Sequence, residues 1–93
     1  MRITMDEIVN AVCLHLAERH EVPVSAVEVE LLWDEERGFS AEVWVQGRSR
    51  FLVEANLKEA IVRYVMSEYQ ARVYPSQITL EVDDEIWASV SDE

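Results

Sequence analysis

Hydrophobic positions along this chain repeat with two different periods, and the switches between them mark out the elements. Met5, Ile8, Val9, Val12, Cys13 and Leu16 recur at the three- and four-residue spacing of a single helical face. Thr4 and Glu7 have the capping-box spacing, at which hydroxyl and carboxylate each accept a backbone N–H from the other residue. A helix is therefore predicted from about Thr4 to His20. Pro23 and Ser25 break it. From Val27 the period falls to two: Val27, Val29, Leu31 and Trp33 alternate with Glu28, Glu30 and Leu32, as in a strand with one buried face. A second strand carries Phe39, Ala41, Val43 and Val45, and a third runs from about Arg50 to Glu54 with Phe51 and Val53 facing inward. Asn56-x-x-Glu59 reads as another capping box, opening a second helix with Leu57, Ala60, Ile61, Tyr64, Val65 and Tyr69 on its apolar face. Beyond Pro75 and Ser76, Ile78, Leu80 and Val82 make a fourth strand, and Ile86 to Val90 a short fifth.

The registers follow from keeping one face apolar. Leu31 opposite Ala41 and Val29 opposite Val43 satisfy this for the first two strands. Val45 opposite Phe51 and Val43 opposite Val53 satisfy it for the next two. The other face is then forced. Glu30, Glu42 and Glu54 fall in a row beside Glu28, Trp44 and Leu52, with Leu32 and Trp87 extending the apolar part. Carboxylates opposed across strands repel one another. Arg48 or Arg50, a partner's basic side chain, or a divalent ion should relieve them.

This order, α-β-β-β-α-β(-β), predicts an α+β fold: an antiparallel meander sheet with two helices packed on one face. A right-handed crossover can return the fourth strand beside the first or beside the third, and the order third-second-first-fourth is the one favoured. The two halves echo each other, since Thr4/Glu7 and Pro23 recur 52 positions later as Asn56/Glu59 and Pro75. Identity between the halves is slight, so chance or shared α-β grammar is the expected cause of the echo. Double-stranded-RNA-binding domains share the α-β-β-β-α order, but that is topology alone.

Charge changes the picture more than composition does. Ninety-three residues allow one domain, 1–93, and 49% apolar content suits a folded one. Eight basic residues against nineteen acidic ones leave a net charge of −11. Phosphate backbones and anionic membranes are disfavoured partners, while a basic protein surface remains open. No basic stretch with a following apolar core opens the chain as a signal peptide would. The single cysteine, Cys13, cannot form an internal disulfide, which suits a reducing cytoplasm.

Catalytic and metal-binding patterns are wanting. Cys13 and His15 point to nearly opposite sides of a helix, and Cys13 and His20 lie roughly 10 Å apart along it, too far for one zinc ion. The same geometry denies a nucleophile–base pair. Asp34-Glu35-Glu36, closed by Gly38, lacks the alternating oxygen ligands of a calcium loop and reads as a hairpin bend. No cofactor or metal is expected.

The strings "NAVCLHLAERHEV", "VEVELLWDEERGFSAEV" and "EANLKEAI" together resemble the YxcD-like family of small bacterial proteins of unknown function. The likeness spans nearly the whole chain. It implies a bacterial cytoplasmic protein and supplies no catalytic residues.

The leading expectation is a non-catalytic module that self-associates as a homodimer or binds a basic protein surface. Its candidate interaction residues are Leu32, Trp44, Leu52, Trp87, Glu30, Glu42 and Glu54 on the outer sheet face. The alternative is a small metal-dependent or acid/base enzyme using the glutamate row.

Overall fold

The computed structural model describes residues 1–92. The elements run β1 (Arg2–Ile3), α1 (Met5–His20), β2 (Val27–Asp34), β3 (Gly38–Val45), β4 (Arg48–Val53), α2 (Glu54–Tyr69), β5 (Ile78–Val82) and β6 (Ile86–Val90). Both helices and all five expected strands form. The addition is β1, too short to show in a periodicity.

Thr4 caps α1 as its spacing predicts. The Glu7 N–H donates to Thr4 Oγ1 at 3.2 Å and the Thr4 N–H to Glu7 Oε1 at 3.1 Å. α2 begins earlier than its sequence suggested. Val53 is its N-cap and Asn56 sits in the first turn, where Oδ1 accepts the Val53 N–H at 3.1 Å. Asn56 is thus the acceptor that reaches back, not the residue that starts the helix. The chain passes from β4 into α2 without a loop.

The strands divide into two antiparallel three-stranded sheets, β2-β3-β4 and β1-β6-β5. The predicted order, with β5 beside β2, is not what forms. The helices explain this. Glu7 meets Tyr69 and His15 meets Glu59, so α1 and α2 lie antiparallel. The end of α2 is thereby delivered to the start of α1, beside β1, and the following hairpin pairs with β1. Val90 N–H donates to the Met1 carbonyl at 2.8 Å at this junction.

The internal echo becomes a structural equivalence. Each half reads strand, helix of 16 residues, left-handed cap (Glu21 or Gln70), 3-10 turn, hairpin. Each sheet joins the hairpin of one half to the opening strand of the other.

The molecule measures 38 × 33 × 20 Å, thin enough for one helical and one sheet layer. Ile8, Val12, Leu16, Leu57, Ile61 and Val65 bring the helices onto Val43, Leu52, Ile78, Leu80 and Ala88 in a single core. At the helix ends, Tyr69 and Tyr64 hydroxyls donate to Glu7 Oε2 at 2.5 and 3.2 Å. The Tyr69 bond is the main reason the Glu7 carboxyl lies below its ordinary value, burial opposing it and Thr4 and Tyr64 assisting. The same bond pushes the Tyr69 phenol up to about 12.

Candidate interaction surface

β2 and β3 pair as predicted, with Leu31 opposite Ala41, Val29 opposite Val43 and Glu30 opposite Glu42. Their connection is a hairpin bend. Asp34 Oδ1 accepts the N–H groups of Glu36 at 2.9 Å and Arg37 at 2.6 Å, and Gly38 takes the positive φ, 74°, that closes it.

β4 is displaced from its predicted register, and its faces are reversed. Val45 pairs with Arg48, Val43 with Arg50, Glu42 with Phe51 and Ala41 with Leu52. The cause is the turn. Gln46 and Gly47 both have positive φ, 53° and 77°, which makes a two-residue type I′ turn. That tight connection sets the register by itself. It is offset by an odd number of residues from the one the apolar pattern favoured, so every side chain of β4 changes face.

Several expectations are corrected by this. Leu52 is 5% exposed and belongs to the core, while Phe51 and Val53 stand 60% and 61% exposed. Glu54 leaves the sheet for the first position of α2, where it pairs with Lys58 at 3.2 Å. The three-glutamate row does not form. Arg48 and Arg50 alternate to the face opposite Phe51, so they do not screen Glu42. Trp87 lies in the other sheet, beneath the Arg2 guanidinium at 4.0 Å, with its indole N–H donating to Asp83 Oδ2 at 3.1 Å. Slight burial would raise the Asp83 carboxyl, but donors from Glu85, Trp87 and Asp84 carry it below its ordinary value.

The outer face of β2-β3-β4 is therefore rebuilt in three rows: Leu32, Ser40, Val53; Glu30, Glu42, Phe51; Glu28, Trp44, Ser49. Leu32 and Trp44 are half-buried. Acids gather on the β2 edge and exposed apolar side chains on the β4 edge. This polarity was hidden from the sequence by the register. The signal that could have found it is the Gln46-Gly47 dipeptide, whose glycine suits a two-residue hairpin.

Elsewhere the chemistry is quiet. Cys13 is buried, its thiol 3.9 Å from the Val27 carbonyl and pushed up by that burial. Burial, then the Arg63 charge, holds His15 below its ordinary value, with Glu59 at 3.7 Å opposing. His20 is exposed at the end of α1. Among the described residues no group of three His, Cys, Asp or Glu side chains is placed to hold a metal ion. None of the described helices is long and apolar enough to cross a membrane.

Comparison with curated proteins and with solved structures found no match in either. Residues 1–85 match the family described as a protein of unknown function, DUF2653, and the chain belongs to that family.

Proposed function

We propose that this chain is a non-catalytic interaction module that pairs with a second copy of itself through the outer face of the β2-β3-β4 sheet. The observation that carries the reading is the exposure of Phe51 and Val53 on an edge strand beside Trp44 and Leu32. Apolar side chains gathered on one face of so small a domain, Phe51 and Val53 side by side with Trp44 and Leu32 nearby, favour a covered state. A two-fold axis near β4 brings the apolar edge of one copy onto that of the other and keeps Glu28 and Glu30 at the rim. Glu42, at the centre of the array between Trp44 and Phe51, then needs a basic side chain or trapped water within the interface. Kinship with the YxcD-like proteins belongs to this reading and brings no activity with it.

A second reading is favoured by the acids themselves: the same face receives a basic protein surface, with Glu28, Glu30 and Glu42 meeting lysines or arginines. The enzyme alternative loses its basis, because Glu54 is not in the row on which it rested. Sedimentation equilibrium separates the readings. Self-association predicts twice the 10.8 kDa chain mass at high micromolar concentration, and the chain mass for Trp44→Glu. A wild-type chain that sediments as a monomer at both low and high salt excludes the dimer.

A further inference from the structure

The outer side of the helical layer carries an apolar strip among its polar residues. Leu14, Val24 and Met66 are 39%, 42% and 43% exposed. With Val22 and Val62 they line a groove of about 720 Å³ between α1 and α2, with the buried Ala11 and Ala60 also in its wall. Leu14 interrupts an otherwise polar outer side of α1, where Asn10 and Glu18 are its exposed neighbours one turn away.

The charges at the groove indicate what covers it. Arg63 is held by Glu18 at 2.9 Å, leaving the Glu68 carboxylate without an ion pair among the described residues, in a chain of net charge −11. A second copy brings the same acids to the same place. We propose that the groove docks an amphipathic helix of a partner protein, its apolar face on Leu14, Val62 and Met66 and its basic face toward Glu68. Two antiparallel helices present ridges and grooves into which a third helix packs, and cationic side chains along its margin gain from the acidic field. This site lies in the other layer from the sheet face and is independent of the self-association reading.

The test uses the full chain and a synthetic helical peptide of about 18 residues made of leucine and lysine, with the leucines on one helical face. A second peptide has the same composition scrambled. Titration followed by amide chemical shifts should show binding of the patterned peptide, with changes centred on Leu14, Val62 and Met66. Leu14→Gln combined with Met66→Gln should weaken it at least about tenfold. Glu68→Lys, at an exposed position, should weaken it severalfold while leaving the fold unchanged. Equal binding of the scrambled peptide, no binding of the patterned one at millimolar concentration, or indifference to both variants overturns the proposal. So does a wild-type dimer that the Leu14/Met66 variant dissociates, because a second copy then fills the groove.

Discussion

Thr4 illustrates how much one hydroxyl decides. It satisfies the Glu7 N–H at the start of α1 while Glu7 returns the bond, so Thr4→Ala should destabilise the fold by about 1 kcal/mol in a denaturant titration. Glu7 has a second task, because Tyr69 and Tyr64 bring the end of α2 to its other oxygen. The Tyr69 bond, ahead of the Thr4 and Tyr64 bonds and against burial, lowers the carboxyl from its ordinary 4.5. A depressed carboxyl contributes stability that is complete above pH 4.5 and is lost as the pH falls through the folded-state value. At the alkaline end the sign reverses. The Tyr69 phenol, raised by that bond from 10 to about 12, contributes stability that is complete below pH 10 and is lost as the pH rises through 12. Glu7→Gln should therefore flatten the dependence of melting temperature on pH at both ends. An unchanged profile in that variant would mean that the tyrosine contacts do not hold the helix ends together in solution.

Two residues in a turn outweigh a strand's worth of apolar pattern. Gln46 and Gly47 form the type I′ connection between β3 and β4, and a side chain at either position is held at positive φ. Gly47→Ala should cost about 1 kcal/mol although open space surrounds the new Cβ, because the cost lies in the backbone conformation. Gln46→Asn should return roughly 0.5 kcal/mol, since asparagine tolerates that region better. Equilibrium unfolding of both variants checks the pair. The same turn shows where the sequence could be read and where it could not. Both helices, the five longer strands, the Asp34 hairpin and the β2-β3 register were legible, because capping residues and alternation are local signals. The face of β4 was not, since Arg50, Phe51, Leu52 and Val53 suit either register and only turn geometry chooses. Glu54 followed the same error, assigned to a strand when Asn56 had already committed it to a helix. The pairing of β6 with β1 was hidden for another reason. A strand of two residues has no period, and its partner is chosen by the antiparallel helices.

At the scale of the whole molecule, the exchange of opening strands between the two halves ties the sheets into one core and leaves each layer with an uncovered side. On the sheet side, net charge of −11 opposes association at long range, and the apolar edge at β4 favours it at contact. In the proposed dimer, burial of Phe51, Val53 and Trp44 has to outweigh a repulsion that physiological salt screens beyond about 8 Å, with Glu28 and Glu30 at the rim and Glu42 hydrated or paired. Self-association should therefore strengthen as salt is raised, the opposite of what a basic partner on this face would show. The most direct test of the account is the mass of Phe51→Glu at high micromolar concentration by sedimentation equilibrium, beside the wild type. Phe51 is the residue that the apolar pattern turns inward and the type I′ turn turns outward. Wild-type protein should be a dimer, and Phe51→Glu a monomer that still unfolds cooperatively. A Phe51→Glu chain that is unfolded would contradict the register, and one that remains dimeric would contradict the interface.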